Sequence, residues 1–169
     1  MKKTVLTFGL ISGAILSVMM LATIPFMDRI GFDKGMYIGY TTMVLAFLLV
    51  FFGIRSYREN VGGGSISFGR AFAVGILITI LASVCYDITW QIIYTWVTPD
   101  FGEKYANYYL EKMRAAGESK QAIDNAVQDM EKFKIMYANP IIRIAMTLIE
   151  PVPVGVIMTL ISSAILRKK

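Results

Sequence analysis

Three charged side chains lie inside otherwise apolar stretches, and these residues are the best suited in this chain to carry out chemistry. Asp87 stands in one such stretch, and Arg143 and Glu150 stand in a later one. Gln91 follows Asp87 by four residues, and Arg143 precedes Glu150 by seven, so each pair falls on one face of a helix. In an apolar environment two nearby carboxyls would share a proton or hold a cation. This pattern predicts either a proton or cation relay or a structural polar clamp.

The two interpretations differ in what they need from neighbouring residues. A clamp needs only that Asp87 and Glu150 share a proton or engage Arg143. A relay also needs a polar route to the membrane surface. The hydroxyls available for that route are few: Thr79, Ser83, Thr159 and Ser162. The sequence therefore favours the clamp, and the relay remains the alternative.

Four apolar segments, each long enough to cross a membrane as a helix, would hold these side chains. The predicted spans are residues 4–27, 36–54, 71–97 and 141–165. At a rise of about 1.5 Å per residue, about 20 residues cross a hydrocarbon core of about 30 Å. Charged residues make up only 17% of the chain, and they are missing from these blocks in particular. The predicted fold is all-α: an integral membrane four-helix bundle in a single domain, residues 1–169.

Charges outside the spans predict the orientation. One side would carry eight basic residues and one acid, Glu59. The basic residues are Lys2, Lys3, Arg55, Arg58, Arg70, Arg167, Lys168 and Lys169. Residues 98–139 hold six basic and seven acidic residues. Because positively charged loops stay in the cytoplasm, both termini are predicted to be cytoplasmic. We expect Arg55, Arg58 and Arg70 to contact lipid headgroups.

Residues 98–139 are predicted to form a helical hairpin on the extracytoplasmic side. Gly117 interrupts the helical pattern, and Ser119 can cap a second helix. One face of that helix carries apolar residues: Ile123, Ala126, Val127, Met130, Phe133 and Tyr137. This face would pack on the bundle or lie in the lipid interface, and the alternative is a partner-binding face. Aromatic residues also cluster where the third span should leave the membrane, which is typical of the headgroup zone: Trp90, Tyr94, Trp96, Phe101, Tyr105, Tyr108 and Tyr109.

Small residues recur at four-residue spacing in three of the spans. The repeats are Gly9, Gly13 and Ser17; Ala71, Gly75, Thr79 and Ser83; and Gly155, Thr159 and Ser163. Such repeats let helices approach closely, either within the bundle or across a homodimer face. Pro151 and Pro153 predict a kink in the fourth span just after Glu150.

Composition argues against several functions. The chain has no histidine and a single cysteine, Cys85, so we expect no metal site, no cofactor and no enzymatic activity.

The segment Gly62-Gly63-Gly64-Ser65 is not a phosphate loop, because it lacks the lysine and the preceding strand of one. It predicts a flexible turn ending in a cap at Ser65 or Ser67. Basic residues at segment ends favour the lipid bilayer rather than nucleic acid as partner. A second copy or another membrane protein is the further candidate partner.

Several motifs are shared with a known family. They include Phe52-Gly53-Ile54-Arg55-Ser56-Tyr57-Arg58-Glu59, Phe68-Gly69-Arg70-Ala71-Phe72 and Glu150-Pro151-Val152-Pro153-Val154-Gly155. Together they resemble a bacterial family of small membrane proteins, domain of unknown function 4199. The resemblance implies a protein of the bacterial inner membrane and supplies no activity or catalytic residue. We therefore expect a structural or accessory membrane protein, with a small proton- or cation-coupled carrier that uses Asp87 and Glu150 as the alternative.

Overall fold

The structure, a computed structural model, describes residues 1–168, apart from the side chain of Asp28. Lys169, which belongs to the predicted basic end, lies outside the described residues. Within the described residues the chain is helical and contains no strand. The helices are α1 (Lys2–Thr23), α2 (Met27–Asn60), α3 (Phe68–Trp96), α4 (Phe101–Ala115), α5 (Lys120–Ala138), α6 (Pro140–Leu148) and α7 (Pro151–Leu166), with a short 3-10 turn at Ile24–Phe26 between α1 and α2.

Four stretches of helix are long and apolar enough to span a membrane. They are Lys2–Phe26, Arg29–Asn60, Phe68–Trp96 and Pro140–Leu166. The predicted all-α fold with four spans is therefore confirmed. The second span is longer than the predicted 36–54 at both ends, since it begins at Arg29 and continues through Arg55 to Asn60. An ion pair between Arg55 and Glu59 supports the added turn at its end.

Two of the spans contain breaks, and each break has a local cause. In α2 the backbone of Gly31 is non-helical, with φ 76° and ψ 160°, a conformation that favours glycine. Gly31 lies among residues 28–35, which separate the first two predicted spans, so the break falls within the predicted connection. In the fourth span the helix is interrupted at Ile149 and Glu150, and α7 begins at Pro151. Proline has no N–H to donate, so the predicted kink after Glu150 becomes an interruption there.

The described chain forms two compact units, of which the first contains residues 1–89 and the residues from 148 onward. In this first unit α1 and α2 are antiparallel neighbours, since Ser12 Oγ donates to Ala46 O over 3.1 Å and Gly53 faces Phe8. The core is formed by side chains from four helices and the loop before α3: Leu16, Met43, Ala46, Phe47, Val50, Ile54, Tyr57, Ile66, Ala71, Val74, Ile78, Ala82 and Leu166. Burial of these side chains is what positions α3 and α7.

The small residues of the first unit lie where helices touch. A Cβ atom added to Gly75 of α3 would lie 2.7 Å from Thr159 Cγ2 of α7, and one added to Gly155 of α7 would collide with Thr79. Gly13 of α1 meets α3 in the same way. The four-residue repeats therefore serve contacts within this chain, the first of the two roles that the sequence allowed.

The second unit contains residues 90–147, and within it α4 and α5 run in opposite directions. Phe101 lies against Tyr137, with ring centroids 5.9 Å apart, and Tyr105 lies against Phe133, with centroids 5.6 Å apart. The connection turns at Gly117, with φ 74°, and Ser119 Oγ accepts from the Ala122 N–H over 3.2 Å. The side of the membrane on which this pair lies stays a prediction.

The predicted apolar face of α5 is only partly covered by other described residues. Ala126 and Tyr137 are buried, but Val127 is 38% exposed. Successive residues of a helix are about 100° apart, so the neighbour of a buried residue can already face outward. Val127 stands at the edge of the face rather than in it.

Candidate functional site

Glu150 stands at the interruption before α7, and a tyrosine of α3 binds its carboxylate. The Tyr86 hydroxyl donates to Glu150 Oε2 over 2.8 Å. Glu150 occupies the N-cap position of α7 without capping it, so its side chain is used for the contact with α3 instead. The N-terminus of a helix favours a negative charge at this place.

Asp87 follows Tyr86 directly on α3 and is only 7% exposed. The bond between Tyr86 and Glu150 therefore brings the α3 turn that carries Asp87 to the start of α7 within the first unit. The sequence pattern predicts that Asp87 and Glu150 form a pair. The structure gives Glu150 a tyrosine hydroxyl as its hydrogen-bond donor.

Arg143 and Gln91 belong to the second unit and bind each other. Arg143 Nε donates to Gln91 Oε1 over 2.6 Å, and Nη1 donates to the Tyr137 carbonyl over 3.2 Å. The guanidinium carbon lies 3.9 Å from the ring centroid of Tyr94, a cation–π arrangement. Arg143 is 6% exposed. Its partners within this unit are uncharged, whereas the sequence analysis offered the two carboxyls as partners.

A helix terminus explains why Arg143 is stable in this environment. Tyr137 lies in the last turn of α5, where carbonyl oxygens have no partner inside the helix. These carbonyls also form the negative end of the helix dipole. Arg143 therefore supplies both a hydrogen bond and a positive charge to the C-terminal end of α5, and Gln91 and Tyr94 fix the orientation of its guanidinium.

Tyr137 is the residue whose importance the sequence analysis missed. Its hydroxyl accepts from Trp90 Nε1 over 2.7 Å, and its ring lies 5.5 Å from Tyr94 and 5.2 Å from Phe133. The predicted aromatic cluster is thus partly internal, although Trp96 is 81% exposed, as a residue at a membrane interface can be. The pattern placed Tyr137 on the apolar face of α5 but gave no signal for its hydroxyl.

Hydroxyl groups in the first unit bind one another between the helices. Thr79 and Thr159 are fully buried and share a hydrogen bond of 3.2 Å. Thr89 Oγ1 donates to Ser17 Oγ over 2.7 Å, which joins α3 to α1. The described residues contain no group of three or more His, Cys, Asp or Glu side chains that could hold a metal ion.

A family model described as "Protein of unknown function (DUF4199)" matches residues 7–168. The chain belongs to the DUF4199 family. Comparison with curated proteins found no match, and comparison with solved structures found none either. The resemblance carried by the sequence motifs is confirmed.

The DUF4199 match covers all four candidate site residues, Asp87, Gln91, Arg143 and Glu150. A family defined by an unknown function assigns them no role.

The basic residues of this DUF4199 chain that were predicted to be cytoplasmic gather, as far as the structure describes them, at one end of the first unit. α1 begins there at Lys2, α2 ends there after Arg58, and α3 begins there before Arg70. The backbones of Ile66 and Lys168 exchange two hydrogen bonds of 2.9 Å, which place the end of α7 beside the loop before α3.

The contacts of the three arginines at this end differ. Arg55 and Arg58 both bind Glu59, at 3.2 and 3.1 Å, and Arg58 Nη1 also donates to the Leu166 carbonyl over 3.3 Å. Arg70 is exposed at the start of α3. Contact with lipid headgroups stays a prediction for all three, but Arg58 has an additional role in joining α2 to α7.

The glycine turn has specific hydrogen bonds, although the sequence predicted only a flexible turn. Gly63 and Gly64 have φ of 62° and 88°, and the Gly64 N–H donates to the Arg58 carbonyl over 3.0 Å. Ser67 provides the cap of α3, since its Oγ accepts from the Arg70 N–H over 3.4 Å. Glycine is required at the positive-φ positions because a side chain would be strained there.

Proposed function

We propose that this chain is a structural or accessory protein of a bacterial cytoplasmic membrane and has no catalytic activity. The observation that supports this most is the close contact between α3 and α7. Gly75 lies against Thr159, and Gly155 lies against Thr79, so closely that neither glycine has room for a methyl group.

The same contact argues against a route for ions or protons through the first unit. A water molecule in a protein interior needs a cavity and two or more polar partners. Between α3 and α7 the hydroxyls of Thr79 and Thr159 bind each other, and side chains fill the space beside the two glycines. The contact between α3 and α7 is therefore closed at these two glycines, which argues against a water path between the two helices at that level.

Polar side chains of each unit also have partners suited to a structural role. Tyr86 joins α3 to the start of α7 through Glu150, and Arg143 joins the end of α5 to Gln91. In an apolar environment such bonds stabilise helix contacts by about 0.6 to 2 kcal/mol. These bonds differ from the predicted clamp, in which Asp87 and Glu150 share a proton or engage Arg143, but they also hold helices together. They support a structural role more than a relay.

A small carrier is the second candidate, and the interruption at Glu150 favours it. Transporters often place ion sites where a spanning helix is broken and a half-helix N-terminus points into the membrane. In this chain a carboxylate stands at such a break, directly before α7. A cation bound to Glu150 is the form that this function would take.

Neutralising the carboxyls distinguishes the two candidates. We expect Asp87→Asn and Glu150→Gln to keep the melting temperature of wild type or raise it slightly, because an amide oxygen still accepts a hydrogen bond and a desolvated charge is removed. Uptake of protons and of sodium into proteoliposomes should match protein-free liposomes for wild type and both variants. Wild-type uptake that disappears in both variants would refute the accessory function and support the carrier.

We also propose that both termini are cytoplasmic and that residues 98–139 are periplasmic. The gathering of basic residues at one end of the first unit supports this orientation. A membrane-impermeant maleimide applied to intact spheroplasts should label Ser119→Cys and leave Ser65→Cys unlabelled, with wild type as the control for Cys85. The reverse labelling pattern would overturn the orientation.

Lipid is the partner that the exposed apolar side chains of the spans require, and a second copy or another membrane protein is a further proposed partner. The small-residue repeats already serve contacts inside the chain, so such a protein partner would contact other faces.

A further inference from the structure

A groove on the first unit lies between α1 and α2 near the basic end. Its volume is about 470 Å³, and it is lined by Phe8, Leu49, Phe52, Arg55, Ser56, Glu59 and Asn60. The groove is shallow and open on its outer side, so it could hold part of a lipid-sized ligand along the protein surface rather than enclose it.

The polarity of the groove changes sharply along α2. Its inner part consists of Phe8, Leu49 and Phe52, and Phe52 is 50% exposed. One helical turn further, Arg55 and Ser56 begin a polar part that continues to Asn60. At about 1.5 Å per residue, the change from aromatic to ionic lining takes roughly 5 Å. A lipid shows the same change, from an apolar acyl chain to a charged headgroup.

The polar part carries an excess of positive charge. Glu59 is bound by both Arg55 and Arg58, so the three side chains together have a charge of +1. Because α1 and α2 are antiparallel, with Phe8 beside Gly53, Lys2 and Lys3 lie at the level of the polar part and add to this charge. A ligand that neutralises the groove has to be an anion.

Arg55 has donors available for such an anion. Its bond to Glu59 uses Nε, and the side chain is 54% exposed. The two terminal nitrogens of a guanidinium carry four further N–H donors, arranged to bind phosphate oxygens. Glu59 already accepts from two arginines, which makes it a poor partner for the ammonium group of a zwitterionic lipid.

We propose that this groove is a binding site for one anionic glycerophospholipid. The phosphodiester binds Arg55 beside Ser56, and one acyl chain lies along Phe8, Leu49 and Phe52. The site lies near the basic end, and it does not depend on the role of Asp87 or Glu150. It differs from the general attraction of basic residues to an anionic membrane because one arginine binds the headgroup and the apolar part of the groove binds the acyl chain of the same lipid.

Native mass spectrometry of the detergent-purified protein, titrated with phosphatidylglycerol, tests the site. We expect Arg55→Gln to weaken the first binding event about tenfold, the effect of losing one charge-assisted hydrogen bond of about 1.5 kcal/mol. Arg70→Gln is the matched control, because it removes the same charge at the same end but outside the groove. It should change the affinity less than twofold. Equal losses in both variants would show general electrostatic attraction and would overturn the site.

Two further measurements test the lipid chemistry. Phosphatidylethanolamine should bind wild type several-fold more weakly than phosphatidylglycerol, and equal affinities would contradict the anionic headgroup. Phe52→Ser leaves every charge in place and should also weaken phosphatidylglycerol binding, because it removes a large side chain from the apolar part of the groove. Unchanged affinity in Phe52→Ser would contradict the acyl-chain position. Melting curves by circular dichroism confirm that each variant is folded before its affinity is compared.

Discussion

Gly155→Ala is expected to destabilise the first unit by about 1 to 3 kcal/mol, the usual cost of adding a methylene to a filled core. The new Cβ would collide with Thr79 Cγ2, and it would also lie 2.9 Å from Thr79 Oγ1 and 3.1 Å from Phe47 Cζ. Thr79 cannot turn away freely, because its hydroxyl is bonded to Thr159. Relief of the collision therefore requires that α7 move away from α3.

The control for this change is Gly39→Ala in α2. Apart from the neighbouring residues and backbone of its own helix, a Cβ at Gly39 would have no atom within 4 Å. In a helix, alanine is favoured over glycine by up to about 1 kcal/mol, so the control should be neutral or slightly stabilising. The midpoint of SDS-induced unfolding in mixed micelles measures both. If the two variants unfold at the same SDS fraction, α3 and α7 are not in the described contact.

Arg143→Ala should loosen the second unit, with an expected cost of about 2 to 4 kcal/mol. The substitution removes both hydrogen bonds that the guanidinium donates, to Gln91 Oε1 and to the Tyr137 carbonyl. A hydrogen bond from a charged donor contributes about 1.5 to 3 kcal/mol, and bonds made by one side chain do not add fully. Arg143→Lys should be intermediate, because a single ammonium nitrogen keeps the charge but cannot reproduce the fork of two donors or the stacking on Tyr94.

Limited proteolysis within residues 98–139 is the measurement. Arg114 is exposed on α4 of the same unit, so Arg114→Ala removes an arginine without removing a buried contact. We expect cleavage to be fastest in Arg143→Ala, slower in Arg143→Lys, and equal to wild type in Arg114→Ala. An Arg143→Ala variant as resistant as Arg114→Ala would mean that Arg143 does not hold the end of α5.

The spans, the helix break before Pro151 and the helix cap at Ser119 could be predicted because they depend on residues close together in the sequence. A helix that crosses a membrane needs a certain number of consecutive apolar residues, and such a run can be recognised directly in the sequence. The break before Pro151 follows from the missing proline N–H, and the cap at Ser119 follows from its hydroxyl and its place before a helical pattern.

The partners of Arg143 could not be predicted by the same means. Residue type suggested a carboxylate, but the observed partners are an amide, a carbonyl and a ring, and they come from α3 and α5. A helix terminus acts as an anion only where the folded chain brings an arginine to it. The position of the Gly31 break within the predicted connection could not be predicted for a related reason, since glycine permits a positive φ but does not require one.

The contact between α3 and α7 can form only late in translation, because the two helices are far apart in the sequence. Thr79 is translated before all of residues 90–147, and its partner Thr159 is translated after them. At about 5 to 20 residues per second, a ribosome needs roughly 3 to 12 s for that interval. During this time the face of α3 that carries Gly75 and Thr79 has no α7 to cover it, so the insertion machinery or lipid must occupy it. Final closure of the first unit is therefore a late event in biogenesis, and it waits for the insertion of α7.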